Sequence, residues 1–390
     1  MPRSCRHSKA LAVTFAASCL YAHPALAQVE TESGPPADAA TSEELPPETE
    51  KKEKDVDLLF APVPFSTPTT GAGIAGGVVA FYNPNGSPNQ WMTGGGIVWT
   101  TRGSKGIGAF HKMSSGDDGF RLTASASYFD QFNKFFGIGA DDGDRGDDLM
   151  LRDQQFNIKA TATRRVFPHG YLGVRYQLGT HSAAPHEDED DDQPPSLTPP
   201  PPVDQMESTL SVVGPVFQYD TTDSHTQPTK GVQALAIWVF GFDWLGSTFK
   251  HNKLTVEGST YMRTDDSTVV AASAMVCSAN GDVPYYNLCL FGAGSDLRGY
   301  VTGRYRDRAA WSIQGEVRHQ FTTRWGGVAF MGIGGISTSV GDLFSDSNFL
   351  PATGLGVRYL PFKNNDVHLR LDLAVGKNDH GVYLGIGEAF

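Results

Sequence analysis

The sequence has no apolar run long enough to cross a membrane as a helix, which takes about 18 consecutive apolar residues. It also has no excess of basic residues, and a net charge of −12 argues against a nucleic-acid partner. G-x-S-x-G, Walker, H-E-x-x-H and C-x-x-C motifs are all missing, so no enzyme is expected. The histidines show no metal-ligand spacing, and we expect neither a metal nor a cofactor.

Two acidic runs, residues 141–148 and 187–192, are the densest charge clusters. They could bind calcium, or bridge lipopolysaccharide through divalent ions. Blocks of like charge are more often solvated, especially beside a polyproline stretch, and the solvated interpretation is favoured.

The N-terminus has the pattern of an export signal. A basic start and a short apolar run precede an A-x-A cleavage site at residues 25–27, which predicts a signal peptide at residues 1–27. Acylation of Cys19 is the less favoured alternative. The mature chain is therefore expected outside the cytoplasm.

The rest of the chain divides into a leader and one folded domain. Residues 28–56 hold almost no large apolar side chains, so they predict a disordered acidic and Pro-rich periplasmic leader. Residues 57–390 alternate apolar and polar side chains, as in Leu371-Asp372-Leu373. Export, chain-wide alternation and a terminal Phe390 together favour an all-β transmembrane antiparallel barrel over a soluble β-sandwich.

The alternation predicts about sixteen strands. Their expected ranges are 57–66, 72–83, 90–101, 104–115, 119–130, 151–166, 170–182, 208–219, 231–242, 249–263, 267–278, 308–321, 326–338, 353–362, 366–376 and 380–390. The first is the weakest, because Pro62 and Pro64 cannot donate to a ladder. A periplasmic start places the long connections outside and the short turns in the periplasm, as is usual for such barrels.

One of these long connections holds the most informative segment, a Gly-rich loop with a single arginine, Arg298, at its centre. A guanidinium needs carboxylate or carbonyl partners when it is buried. Cys277 and Cys289 precede this arginine, and in an oxidising compartment they predict one disulfide, with two free thiols as the alternative.

Three motifs in order resemble the BamA/TamA-type outer-membrane assembly superfamily, also called the bacterial surface antigen family. They are the loop tetrad Leu297-Arg298-Gly299-Tyr300, the turn YDTTDSHTQPTKG starting at Tyr219, and GLGVRYLPF at residues 354–362. The resemblance covers the chain from about Asp220 to its end. It implies a barrel whose lumen is partly filled by the long extracellular loop.

The resemblance also implies that Arg298 lies in the lumen and contacts acidic residues, with Glu316 as the matching carboxylate. The family usually adds an aspartate one strand later, where this chain has Gly332. The loop latch is then expected to be weaker, or Asp296 or Asp372 substitutes.

By the same resemblance, the expected function is protein or lipid insertion or transport at the outer membrane of a Gram-negative bacterium. Outer-membrane lipid, lipopolysaccharide, and periplasmic or outer-membrane proteins are the expected partners. The family's assembly members carry POTRA domains before the barrel, and this chain is expected to be a barrel-only member. The alternative is a passive or gated diffusion pore lined by charged side chains such as Lys159, Glu257, Arg358 and Arg370.

Overall fold

The computed structural model describes residues 56–67, 71–87, 89–186, 196–224, 227–292, 297–343, 348–360 and 368–390. The predicted signal peptide and all of the predicted leader except Val56 lie outside these ranges. Among the described residues, no helix is both long and apolar enough to span a bilayer.

The described part of the chain is dominated by one antiparallel sheet of sixteen strands, all of them predicted from the alternation. The strands are β1 (Val56–Thr67), β2 (Gly71–Tyr82), β3 (Trp91–Thr100), β4 (Lys105–Ser114), β5 (Phe120–Phe135), β6 (Leu149–Phe167), β7 (Gly170–Pro185), β8 (Glu207–Asp220), β9 (Gly231–Gly241), β10 (His251–Arg263), β11 (Thr268–Gly281), β14 (Ala309–Gln320), β15 (Trp325–Ser337), β16 (Leu350–Tyr359), β17 (Leu369–Gly376) and β18 (Asp379–Ile386). A separate two-residue pair, β12 (Cys289–Leu290) and β13 (Arg306–Asp307), lies between β11 and β14.

Short helical turns occur only in the connections of the described chain. They are α1 (Ala140–Arg145), α2 (Val203–Met206) and the 3-10 turns Asp243–Leu245, Tyr285–Asn287 and Val340–Asp342. Each strand pairs with the next one in the chain order, so the sheet is a simple up-and-down meander.

The first strand is more regular than its prolines suggested. β1 pairs with β2 along its whole length, from Val56 opposite Tyr82 to Thr67 opposite Gly71. Pro62 and Pro64 are tolerated because β1 is an end strand of the ladder, where a missing N–H need not break an inner pairing. In the described residues, no ladder pairing joins β1 to β18.

The two faces of the sheet differ as a membrane barrel requires. In β17, Leu371 and Leu373 are 40% and 51% exposed, whereas Asp372 between them is fully buried. Similar exposed apolar side chains recur around the sheet, for example Trp99 and Met331. This is the apolar-out, polar-in arrangement of an outer-membrane barrel.

The sheet curls so that distant strands meet. Lys377, in the turn between β17 and β18, donates to Asp144 of α1, which lies between β5 and β6. The connections after β5, β7 and β11 also contact one another: Thr198 bonds Asp147, and the Tyr285 N–H bonds Gln205. These long connections therefore share one end of the barrel, the loop end, and the short turns share the other, the turn end.

Candidate functional site

The connection between β11 and β14 leaves the wall and enters the lumen. Cys277 of β11 and Cys289 of β12 form a disulfide with a Cα–Cα distance of 5.7 Å, and both are buried. The bridge fastens the start of the connection to the inner face of the wall. We call residues 282–308 the plug loop.

The plug loop lies directly against the wall at Gly299. Its φ is +117°, a conformation that favours glycine, and a Cβ there would meet the Val375 carbonyl group at 3.0 Å. The Gly299 N–H donates to the Tyr383 hydroxyl of β18 at 2.8 Å. A glycine is therefore needed in the tetrad for both backbone conformation and close approach.

Arg298 is 1% exposed and lies between two carboxylates. Its Nη2 is 2.5 Å from Glu316 Oε2, and its Nη1 is 2.7 Å from Asp372 Oδ2. The guanidinium carbon lies 3.5 Å from the centre of the Phe330 ring, in cation–π geometry. The structure thus brings together Arg298 and Glu316, the pair implied by the resemblance.

The same carboxylates belong to a closed chain of ion pairs, which we call the ion ring. Its members are three arginines and three carboxylates: Arg298, Glu316, Arg318, Glu388, Arg358 and Asp372. Glu316 is 2.5 Å from Arg318, Arg318 is 3.7 Å from Glu388, Glu388 is 2.7 Å from Arg358 and Arg358 is 2.5 Å from Asp372.

The ion ring joins parts of the chain that are far apart in sequence. Arg298 comes from the plug loop, Glu316 and Arg318 from β14, Arg358 from β16, Asp372 from β17, and Glu388 from the segment after β18. The main-chain oxygen of Phe390 accepts a further bond from Arg318 at 2.7 Å. Charged side chains are stable inside a protein when they are paired and hydrogen-bonded. The six charges of the ion ring meet this condition, and together they hold the plug loop against the wall.

The missing family aspartate has a structural explanation. A Cβ on Gly332 would lie 2.8 Å from Leu297 Cδ1, so Leu297 occupies the space that a side chain at this position would need. Asp372 of β17 supplies the second carboxylate instead. Asp296, the other suggested substitute, lies outside the described residues.

Sequence reasoning did not find Arg318, Arg358 or Glu388 as partners. The alternative pore interpretation placed Arg358 along the water-filled lumen, but its side chain is 2% exposed and paired with two carboxylates. The sequence did carry one signal for Arg318: it lies two residues after Glu316 on β14, and residues two apart on a strand face the same side. The pairing of Arg358 depends on the barrel curvature and could not be read from the strand alone.

Arg370 lies beside the ion ring without belonging to it. It is opposite Arg358 in the β16–β17 register, and its Nε and Nη1 atoms are buried without a hydrogen-bond partner among the described residues. Like charges placed opposite each other on neighbouring strands repel. Arg298 and Arg358 repel the charge of Arg370, whereas Asp372 and Glu388 attract it without a hydrogen bond to its buried Nε or Nη1 in the described structure.

Further contacts attach the plug loop to β16, to β18 and to the turn before β18. The Tyr300 hydroxyl donates to the Pro351 carbonyl at 2.6 Å, and the Val301 N–H donates to Asp379 Oδ2 at 2.8 Å. Arg304 donates to the Asn378 carbonyl at 2.8 Å. The tetrad region is thereby held to β16, β18 and the turn before β18 as well as to the ion ring.

At the loop end, Asp144 of α1 accepts hydrogen bonds from Lys377 and from the Tyr305 hydroxyl, both at 2.8 Å. Burial by itself would raise the pKa of Asp144, but the bonds from Lys377 and Tyr305 outweigh it and lower the pKa. On β7, whose strand neighbours are far along the sheet from β14 to β18, His181 Nε2 lies 3.0 Å from the Tyr285 hydroxyl. The plug loop is thus attached on both sides of the lumen.

The described residues contain no group of three or more His, Cys, Asp or Glu side chains that could hold a metal ion. What the site's geometry defines is a class of protein: an outer-membrane-type β-barrel with a long connection bound inside its lumen. The chain matches the Omp85 superfamily domain over residues 106–390, and it belongs to this superfamily. Omp85 barrels are outer-membrane proteins of Gram-negative bacteria.

Solved structures show the same fold at low identity. BamA from Haemophilus ducreyi lacking POTRA domains 1–3 is 13% identical, with a TM-score of 0.55 over 86% of this chain and 70% of that one. CdiB from Escherichia coli is 13% identical, with a TM-score of 0.54 over 87% of this chain and 62% of that one. CdiB from Acinetobacter baumannii is 11% identical, with a TM-score of 0.52 over 85% and 59%. A comparison with curated proteins gives no match.

Proposed function

We propose that this barrel inserts or transports proteins or lipids at the outer membrane, with the plug loop as its regulated closure. The observation that carries the proposal is the ion ring, which connects the plug loop to β14, β16, β17 and the segment after β18. A loop that only filled space would not need so many buried charges, because each costs free energy unless paired. The proposed partners are outer-membrane lipid and lipopolysaccharide outside, and client or periplasmic proteins.

The contacts of the plug loop indicate which strands would lose support if the loop moved. Gly299 bonds Tyr383 of β18, and β18 and β1 are the two ends of the ladder. Release of the tetrad would therefore remove support from one side of the β1–β18 seam. We propose this seam as the place where a client strand or lipid enters the membrane, by analogy with the fold.

Insertion into liposomes tests this proposal. Purified barrel is reconstituted, an unfolded outer-membrane β-barrel is added, and its folding is followed by the heat-modifiable shift on a gel. We expect faster folding than with empty liposomes, and loss of the effect when paired cysteines cross-link β1 to β18. Equal folding rates with and without the barrel would contradict the proposed insertion activity.

A gated diffusion pore is the second candidate, because charged side chains of the inner wall, such as Lys159 and Glu257, are partly exposed. Planar-bilayer conductance separates the two candidates. A steady large conductance in the wild-type protein favours the pore. Low, flickering conductance that rises when the plug loop is shortened favours a closed barrel.

A further inference from the structure

One part of the inner wall is apolar, in contrast to the polar lumen expected of a membrane barrel. On β2, β3 and β4, Val78, Ile97 and Ile107 are 47%, 62% and 58% exposed and face lipid, so the residues next to them face the lumen. In these three described strands, Lys112 at the turn end is the one charged inward side chain. The inward residues beyond it, which we call the apolar patch, are Ala75, Gly77, Val79, Phe81, Met92, Gly94, Gly96, Val98, Gly106, Gly108 and Phe110.

The strand register joins these residues into one surface. Val79 is opposite Gly94, and Gly94 is opposite Phe110. A Cβ on Gly94 would lie 2.7 Å from the Phe110 ring, so the ring lies over this glycine. Phe129 of β5 packs over Gly106 in the same way and extends the surface by one strand. The apolar patch is therefore a continuous recess with apolar side chains on both sides.

The apolar patch borders the lumen and not a packed core. Val79, Val98, Phe110 and Phe129 are each partly exposed. The plug-loop contacts described above are made to α1, to α2, to β7 and to the part of the sheet from β14 to β18. None of those contacts is to β2, β3 or β4. A surface of this kind inside a water-filled lumen is unfavourable unless something apolar covers it.

The apolar patch lies one strand away from the end of the ladder. β2 pairs along its whole length with β1, and β1 has no second ladder partner in the described chain. Leu58 and Phe60 of β1 are 73% and 70% exposed on the lipid side. At the β1–β18 seam, the lipid-facing surface and the apolar patch are thus separated by a single end strand.

The chemistry of the apolar patch favours a hydrocarbon over a peptide. The backbone N–H and C=O groups of β2, β3 and β4 are used by the ladder, and the side chains of the patch are apolar. A peptide segment lying on it would find no partners there for its own N–H and C=O groups, which is costly. A lipid acyl chain has no such groups to satisfy.

We propose that the apolar patch binds the acyl chain of a membrane lipid inside the lumen, with the β1–β18 seam as its entry. This inference deepens the proposed function by naming lipid as the cargo class, and it rests on that function for the entry route. Binding is measured without any client protein. Its failure is therefore distinguishable from failure of the insertion assay.

A fluorophore at Ser125→Cys tests the binding. Ser125 of β5 is opposite Phe110 and partly exposed, and Cys277 and Cys289 are bonded to each other, so the new thiol is labelled selectively. The full barrel is placed in liposomes whose phospholipids carry a nitroxide on the acyl chain. The reference sites are Ile97→Cys, which faces lipid, and Gln177→Cys, which lies on the inner face of β7.

We expect strong quenching at Ile97→Cys, weak quenching at Gln177→Cys and intermediate quenching at Ser125→Cys. The Gln177 site is separated from the bilayer by the same thickness of wall as Ser125, so it measures quenching through the wall. Quenching at Ser125→Cys that is no stronger than at Gln177→Cys overturns the proposal, and this comparison needs no change in the patch.

The combined variant Val79→Thr, Val98→Thr keeps the side-chain shapes and adds two hydroxyls to the patch. It should lose the excess quenching at Ser125→Cys and fall to the Gln177→Cys level. The matched control Val78→Thr, Val174→Thr makes the same changes at positions that are 47% and 52% exposed on the lipid side, and it should keep the excess. Excess quenching that persists in the lumenal variant comes from outside the barrel and contradicts the proposal.

An unfolded outer-membrane β-barrel polypeptide, added without nitroxide lipid, tests the other occupant. It should leave the emission of the Ser125→Cys fluorophore unchanged. An emission shift at Ser125→Cys that is absent at Gln177→Cys, in a barrel that shows no excess lipid quenching, would assign the apolar patch to client side chains and overturn the lipid proposal.

Discussion

Arg298 Nη1 lies 2.7 Å from Asp372 Oδ2, and this contact joins the plug loop to the wall. Asp372 thereby takes the place of the aspartate that the family usually has at the position of Gly332, where Leu297 occupies the space of a side chain. Asp372 is fully buried and holds Arg358 with its other oxygen. The aspartate is thus shared between the plug loop and β16. The consequences of this sharing can be measured residue by residue.

Arg298→Ala should loosen the plug loop. Removing Arg298 leaves two arginines for three buried carboxylates, because Glu316 keeps Arg318 and Asp372 keeps Arg358. One negative charge of the ion ring is then uncompensated, at a local cost of about 3–5 kcal/mol. We expect faster protease cleavage of residues 282–308 and lower heat resistance of the folded barrel on gels. Arg324→Ala, which removes an exposed arginine of the β14–β15 turn, is the control. Unchanged protection in Arg298→Ala contradicts the latch.

Arg370→Gln should stabilise the barrel. In the part of the chain that the structure describes, the buried Nε and Nη1 atoms of Arg370 have no hydrogen-bond partner, and the residue is opposite Arg358. Relief of an unsatisfied buried group is worth about 1–3 kcal/mol, and more for a charge. Urea unfolding in liposomes should show a higher midpoint for Arg370→Gln, whereas Arg370→Lys, which keeps the charge, should not gain. A lower midpoint for the glutamine variant would show that Arg370 is favourably paired.

Acid should weaken the contact between α1 and the β17–β18 turn. The pKa of Asp144 is lowered in the folded protein, so its contribution is fully present above the unfolded pKa and is lost as pH falls through the folded pKa. Hydrogen exchange of residues 139–146 should therefore increase as pH falls below about 4, after correction for intrinsic rates. Asp144→Asn should remove this pH dependence. An identical pH profile in both proteins argues against the contact.

The disulfide should be present in the mature protein and should hold the base of the plug loop. Cys277 and Cys289 are separated by 12 residues, and closing a loop of this size is worth about 2–3 kcal/mol. Denatured, unreduced protein should show no alkylation at either cysteine, and reduction should increase cleavage of the plug loop. Two alkylated thiols before reduction would rule out the bridge.

The strands were predictable because each one carries its own evidence. Leu371, Asp372 and Leu373 alternate between lipid and lumen, and a two-residue period needs no knowledge of the neighbours. Glu316 could be predicted as a partner of Arg298 from its parity on β14 together with the family resemblance. Local pattern and resemblance were sufficient for these features.

The ion ring as a whole could not be predicted in this way. Its closure depends on how β14, β16, β17 and the segment after β18 are brought together by the curvature of the sheet. Arg358 and Glu388 are 30 residues apart and on different elements, and nothing in their local sequence indicates that Nε and Oε2 meet at 2.7 Å. Arg358 and Arg370 are directly opposite and look alike in the sequence pattern, yet only Arg358 is paired in the described structure.

Planar-bilayer recording of wild-type and Arg298→Ala barrels tests the central claim most directly, because it reports whether the ion ring keeps the lumen closed. The account predicts low, flickering conductance for the wild type and a clear, sustained increase for Arg298→Ala, while Arg324→Ala stays at the wild-type level. A steady large conductance in the wild type that Arg298→Ala leaves unchanged would contradict it.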